Sequence, residues 1–94
     1  MSKKSKKYAI ERSYEKLGAY LAEKRQVAGY SQREVSLALG YSSAQFISNF
    51  ERGIAAPPLK KMKVLSKMYN LPVKEVVDLL IDAEREIVVT ALRA

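Results

Sequence analysis

The most informative stretch of this sequence is SQREVSLALGYSSAQFISNFERG, residues 31–53. Ser31 and Glu34 have the spacing of a capping box, in which each side chain accepts a hydrogen bond from the other residue's backbone, so a helix begins here. Gly40 closes the segment, because glycine tolerates the positive φ at which helices commonly end. The pattern therefore predicts a short helix at Gln32–Leu39.

A second helix follows after a tight turn. Ile47 and Phe50 fall on one side of it at helical spacing, and Gly53 follows as a stop signal. These features predict a helix at Ser43–Arg52. Phe46 lies near the apolar side, where it either joins the core or reaches a thymine methyl group. Two short helices joined by a tight turn form a helix-turn-helix.

The outward side of this second helix is small, polar and rich in amides, without the alternating Glu and Lys of an ordinary solvated helix. Gln and Asn can form paired hydrogen bonds with an adenine edge, and Ser or Ala can approach a base without clashing. The side therefore suits recognition of DNA bases, with an ordinary polar surface as the alternative. Its residues are Gln45, Ser48 and Arg52, with Ala44 and Asn49 at its margins.

The flanking sequence continues the helical pattern in both directions. One amphipathic helix is predicted from about Arg12 to Gly29. Another is predicted at Leu59–Tyr69, after a stiff connector that ends in Pro58. A last helix begins near Val73, and no segment gives a convincing strand signal. The predicted fold is an all-α, compact bundle of five helices.

Composition excludes several classes of function. The chain of 94 residues has no Cys and no His, which removes disulfides, thiol nucleophiles and the commonest general base and metal ligand. No apolar run is long enough to span a membrane. We therefore expect a cytoplasmic binding protein that is not an enzyme, with no metal, no cofactor and no small-molecule ligand.

The net charge of +7 is unevenly spread along the chain. Residues 1–72 are basic overall, which suits a polyanion, whereas residues 73–94 carry five Asp or Glu against three Lys or Arg. The last helix also has more apolar residues than the core of the preceding helices needs. We therefore predict a flexible basic arm at 1–11, a helix-turn-helix DNA-binding domain at 12–72 and a C-terminal dimerisation helix at 73–94.

A combined pattern of residues runs through the middle of the chain. It consists of Ser31-Gln32, Val35, Leu39-Gly40, Ile47-Ser48, Glu51 with Gly53, and Pro58 before the Leu59 and Leu65 repeat. The pattern resembles the Cro and lambda-repressor-like helix-turn-helix family, often called XRE-type, over about residues 14–71. The resemblance implies a compact bundle whose third helix, the one predicted at Ser43–Arg52, enters the major groove of double-stranded DNA.

The resemblance also implies roles for individual side chains. Arg25 and Glu51 match positions that form an ion pair between the first and third helices. The expected base-reading residues are Gln32, Ser43, Ala44, Gln45, Ser48 and Asn49. The turn before the helix leaves open which of Ser43, Ala44 and Gln45 reaches deepest into the groove. Basic residues near the helix-turn-helix are expected to contact phosphates, namely Arg33, Arg52, Lys60 and Lys61.

Two functions remain open from the sequence. The first is a sequence-specific transcriptional regulator, a repressor or controller-type protein, that binds an inverted-repeat operator as a homodimer. The second is an antitoxin-like interaction protein whose C-terminal helix binds a protein partner. An enzyme is not expected, because the sequence also lacks a Gly-rich phosphate loop and a metal-spaced cluster.

Overall fold

The computed structural model describes residues 13–93, and every regular element within them is an α-helix. The predicted all-α bundle of five helices is confirmed. The predicted basic arm at 1–11 lies outside the described residues. The helices are α1 (Glu15–Ala28), α2 (Gln32–Ala38), α3 (Gln45–Glu51), α4 (Leu59–Tyr69) and α5 (Val73–Arg93).

The two helices of the helix-turn-helix, α2 and α3, are each slightly shorter than predicted. The capping box is present, because Ser31 Oγ accepts from the Glu34 backbone N–H at 3.0 Å and Glu34 Oε1 accepts from the Ser31 N–H at 2.8 Å. Ser43 was predicted to be the first residue of the second helix, but α3 begins at Gln45. Ser43 Oγ accepts a hydrogen bond from the Gln45 N–H at 3.0 Å, and this local bond keeps Ser43 in the turn.

The hydrophobic core receives side chains from all five helices. Phe46 is not part of it, so the core position, one of the two alternatives predicted for this residue, is wrong. Its ring is on the surface with 45% of the residue exposed, and it stacks on Tyr41 with ring centroids 4.4 Å apart. The core consists of Leu17, Leu21, Val35, Leu39, Ile47, Phe50, Met62, Leu65, Tyr69, Leu71 and Val76.

A very close approach between the α1 region and the α3 region depends on two glycines. A Cβ atom at Gly18 would lie 2.5 Å from the carbonyl oxygens of Phe50 and Glu51. Gly53 has a φ of 79°, and a Cβ atom there would lie 2.5 Å from the Cα atom of Glu15. Direct backbone contact therefore sets the position of α3, which in turn determines what its outer side presents.

α5 packs along α1 through one of its sides. Ala83 on this side is buried. The Tyr14 hydroxyl donates to Glu84 Oε1 at 2.6 Å, and the Tyr20 hydroxyl donates to Glu75 Oε1 at 2.8 Å. The hydrogen bond to Glu84, with burial, raises the pKa of Tyr14 to about 12. These contacts hold the part of α5 up to Glu84 against the helix-turn-helix domain.

Candidate nucleic-acid interface

α3 directs its apolar side inward and its polar side outward. Ile47 and Phe50 are buried in the core, whereas Gln45 is exposed and Ser48 and Asn49 are partly exposed. The backbone contacts at the glycines hold the helix in this orientation. As a result, a surface of amides and a small hydroxyl faces solvent, and such groups can form direct hydrogen bonds with base edges.

Three of the predicted DNA contacts are joined by hydrogen bonds on this outer side. Gln45 Nε2 donates to Asn49 Oδ1 at 2.9 Å. Arg52 Nη2 donates to the same oxygen at 2.8 Å. This cluster is not among the sequence-based predictions, although residues three and four apart are neighbours on a helix surface. Both hydrogen bonds end on Asn49 Oδ1, so together they fix the orientation of this amide.

The residues before α3 lie at the same end of the surface as Gln45. Ser43 is exposed in the turn. Ala44 precedes the helix, and its carbonyl oxygen accepts a hydrogen bond from the Ser48 N–H at 3.0 Å. Neither side chain is long, so this end of α3 leaves room for a base or a phosphate to approach the backbone.

A second polar network lies on the inner side of α3. Arg25 Nε donates to Glu51 Oε2 at 2.6 Å, and Arg25 Nη2 donates to Glu51 Oε1 at 3.1 Å. The structure therefore brings the two expected ion-pair residues together through two parallel hydrogen bonds. Their side chains are only 12% and 7% exposed, respectively. The hydrogen bond to Glu51 raises the pKa of Arg25 above its usual value. This pair connects the end of α1 to the end of α3.

Gln32 belongs to this inner network rather than to the cluster around Asn49. Its Nε2 donates to Glu51 Oε1 at 2.9 Å. Arg25 also donates to the carbonyl oxygen of Tyr30 at 2.8 Å, which fixes the segment that leads into α2. The start of α2 is therefore tied to the end of α3, and the partly exposed Gln32 side chain is oriented by a buried carboxylate.

The basic residues expected at phosphates differ in their surroundings. Arg33 on α2 and Lys60 on α4 are exposed. Lys61 is half-buried, and its ammonium donates to the Leu39 carbonyl oxygen at 2.5 Å and lies 5.3 Å from the Tyr41 ring centroid. A cation is favourable at this place because the last carbonyls of α2 point toward it. A phosphate at Lys61 would have to compete with both contacts.

Other kinds of site have little support in residues 13–93. No group of His, Cys, Asp and Glu side chains in this range is arranged to hold a metal ion. None of the helices in the described range has the length and apolar character needed to cross a membrane. The candidate binding surface is the outer side of α3 together with the exposed basic residues of α2 and α4.

The arrangement of α2 and α3, with amides outward and a fork-shaped ion pair inward, defines a helix-turn-helix DNA-binding domain. A family model described as helix-turn-helix matches residues 21–76, more than half of the chain. The protein therefore belongs to the Cro and lambda-repressor-like, XRE-type helix-turn-helix family of DNA-binding regulators. The chain matched no curated protein and no solved structure.

Proposed function

We propose that this protein is a cytoplasmic, sequence-specific repressor or controller-type regulator that binds an inverted-repeat operator as a homodimer, with α3 in the major groove. The observation that carries the proposal is the outer side of α3, which presents the amides of Gln45 and Asn49 and has a charged side chain only at its end, at Arg52. Amides recognise bases by paired hydrogen bonds, whereas a merely solvated helix has no need of them. The short side chains of Ala44 and Ser48 allow the helix to approach the base edges closely.

The charges around α3 support the same conclusion. Arg33 and Lys60 are exposed on the two helices that flank α3, and Arg52 lies at the end of α3 itself. Contacts to phosphates position a protein on the duplex, while base contacts supply the specificity. The acidic residues of the chain are concentrated in α5. Exposed positive charge on α2, at the end of α3 and on α4 therefore supports contacts with the phosphates on either side of the groove.

Binding of the full chain to DNA tests this proposal. Duplexes enriched from a randomised pool are titrated by fluorescence anisotropy, with scrambled duplexes of equal length as the control. Affinity is expected to fall about tenfold or more between about 50 and 200 mM salt, because phosphate contacts release counterions. Lys60→Ala should weaken binding to both duplexes by the same factor. A flat salt response, or equal affinity for both duplexes, would contradict the proposal.

The homodimer is supported by an exposed apolar side of α5. Five residues, here called the α5 stripe, have exposed fractions between 42% and 83%. Their spacings of four and seven residues place them on one side of the helix, next to the side that contacts α1. Reading two half-sites requires two copies related by a two-fold axis. The α5 stripe consists of Val73, Val77, Ile81, Val88 and Leu92.

Sedimentation of the full chain tests the role of the α5 stripe. The wild-type protein at micromolar concentration is expected to sediment at about twice 10.6 kDa. Val88→Glu should shift it to a monomer, because a charge would be buried in an apolar interface. Val27→Glu is the matched control, since Val27 on α1 is 79% exposed and lies outside the stripe. A dimeric Val88→Glu variant would contradict the role of the α5 stripe, and a monomeric wild-type chain on DNA would contradict the dimer.

The α5 stripe also favours a second candidate function. An antitoxin-like protein would use the same apolar side to bind a different protein, with DNA binding as a secondary activity. The two candidates differ in what covers the stripe, because a regulator pairs with itself and an antitoxin remains unpaired until its partner is present. A full-length monomer that binds DNA and forms a stable complex with the product of a neighbouring gene would favour the second candidate.

A further inference from the structure

The hydrogen bonds on the outer side of α3 determine which atoms of Asn49 face outward. The guanidinium nitrogen Nη2 of Arg52 lies 2.8 Å from Asn49 Oδ1. A guanidinium has only donors, so its partner on the asparagine amide must be the carbonyl oxygen and not the nitrogen. Arg52 therefore holds the amide of Asn49 in one of its two orientations.

The same oxygen is also met by Gln45, whose Nε2 lies 2.9 Å away. Because Asn49 Oδ1 is an acceptor, Gln45 must direct its amide nitrogen toward it, which leaves Gln45 Oε1 and the second N–H of Nε2 for other partners. Asn49 Oδ1 has two lone pairs and accepts two hydrogen bonds, so Asn49 has only the N–H groups of Nδ2 to offer. The orientation set at Arg52 is thus passed on to Gln45.

We propose that Arg52 is a positioning residue that sets the base preference of the surface formed by Gln45, Asn49 and Arg52, here called the reading surface. This inference rests on the proposed function. In the orientation described above, Gln45 offers one acceptor and one donor, the combination that matches N6–H and N7 of adenine. Asn49 offers donors alone, which match the acceptor edge of guanine at N7 and O6. The surface formed by Gln45, Asn49 and Arg52 is therefore directed to one adenine and one guanine in each half-site.

Loss of Arg52 changes what Asn49 can offer. Without the guanidinium, the Asn49 amide can rotate by half a turn and present Oδ1 together with an N–H, which is the pairing that asparagine makes with adenine. Removing Arg52 should therefore replace guanine by adenine at the base pair that Asn49 reads. If Arg52 contacted only a phosphate, its removal would lower affinity for all sequences alike.

The base preferences are measured by selecting duplexes from a randomised pool with the full chain and titrating the enriched site and its single-base variants. Q45A and N49A identify the base pair that each side chain reads, as the position where preference is lost. R52M removes the donor and the charge, whereas R52K retains both. R33M removes an exposed arginine outside this surface and is the matched control. A circular-dichroism melt establishes that each variant is folded.

The wild-type chain and R52K are expected to favour guanine over adenine at the Asn49 position by about tenfold, and R52M is expected to lose or reverse this preference. N49D presents an oxygen where the wild type presents Nδ2. Its preference should therefore move to cytosine, whose N4 amino group is a donor. R33M should lower affinity while the base preference stays the same.

Several outcomes would overturn the proposal, and they separate it from the proposed function. An unchanged base preference in folded R52M, with evenly lower affinity, would overturn the role of Arg52. If R52M does not fold, an unchanged preference in N49D would do the same. A wild-type preference for adenine at the Asn49 position would overturn the assigned pairing while DNA recognition stands. If the wild-type chain enriches no sequence, DNA recognition itself fails, and Arg52 has no base preference to set.

Discussion

The two sides of α3 carry polar networks that differ in burial, and we expect this difference to separate effects on stability from effects on DNA recognition. On the inner side, the side chains of Arg25 and Glu51 are 12% and 7% exposed, and two hydrogen bonds join them. On the outer side, the cluster of Gln45, Asn49 and Arg52 lies at the surface. Protein groups alone complete the inner network, so changes there should affect folding. The outer network leaves donors and acceptors exposed to solvent, so under the proposed function changes there should affect DNA binding.

The largest expected effect comes from breaking the inner network. Glu51→Ala leaves the Arg25 guanidinium without its partner in a mostly buried position. Removing one member of a buried pair costs on the order of 3–5 kcal/mol, so urea denaturation should show a loss of that size in the free energy of unfolding. Glu23→Ala is the control, because Glu23 lies 3.8 Å from Lys24 in an exposed pair. Equal losses in the two variants would mean that burial does not distinguish them.

Gly18→Ala is expected to affect both sides of α3. The added methyl would lie 2.5 Å from two carbonyl oxygens of the α3 region, so the helix must move away from α1. Overpacking of this kind costs about 1–3 kcal/mol, measured as a lower melting temperature, and the displaced reading surface should also bind DNA more weakly.

Gly29→Ala is the control for Gly18→Ala, which tests the close approach between α1 and α3. Gly29 has a φ of 87°, but no atom lies within 4 Å of the position its Cβ would take. The substitution therefore strains the backbone without moving α3. DNA affinity should stay unchanged in Gly29→Ala at temperatures where the protein is folded. A variant of Gly18 with wild-type affinity would show that α3 is not held by this contact.

Asn49→Ala should act on binding alone. Affinity for the enriched duplex is expected to fall by about 1–3 kcal/mol, with relaxed preference at one base pair. The free energy of unfolding should change by less than about 0.5 kcal/mol, because the side chain is at the surface. Anisotropy titration and urea denaturation of the same preparation give both numbers. A stability loss as large as that of Glu51→Ala would mean that the two sides are not separate.

Gln32→Ala gives the smallest expected effect and sharpens the boundary between the two sides. Gln32 donates to Glu51 on the inner side, yet it lies partly exposed at the start of α2. Losing this hydrogen bond should cost about 1 kcal/mol of stability. A double-mutant cycle with Asn49→Ala measures coupling in DNA binding. Additive effects are expected, because the two side chains belong to different networks.

Much of the fold could be predicted because its signals are local. The Ser31 and Glu34 pair lies within one helical turn, so the start of α2 is specified by its own residues. Leu59–Tyr69 was predicted with the bounds that the structure shows. The apolar side of α3 was right for Ile47 and Phe50 and wrong for Phe46, because periodicity does not decide which residue at the margin of an apolar side is covered by a neighbour.

The candidate site was predictable only in part, for a related reason. The spacing of Gln45, Asn49 and Arg52 makes contact between them possible, but the contact that the structure shows depends on the rotamers that they adopt. The Arg25 and Glu51 pair was expected from a resemblance, since nothing in its spacing indicates it. Lys61 was expected at a phosphate on the basis of its charge, and the structure places its ammonium on the Leu39 carbonyl.

The sequence by itself determined the five helices to within a few residues of their ends, the capping box of α2, the presence of a turn between α2 and α3 and the basic character of that part of the chain, because each depends on residues within a few positions of one another. The tertiary structure alone decided how α3 is placed. Gly18 and the carbonyls of Phe50 and Glu51 are far apart in sequence and meet only when the chain is folded. Close packing of backbone on backbone cannot be read from local pattern, and it is this packing that fixes where α3 lies against α1.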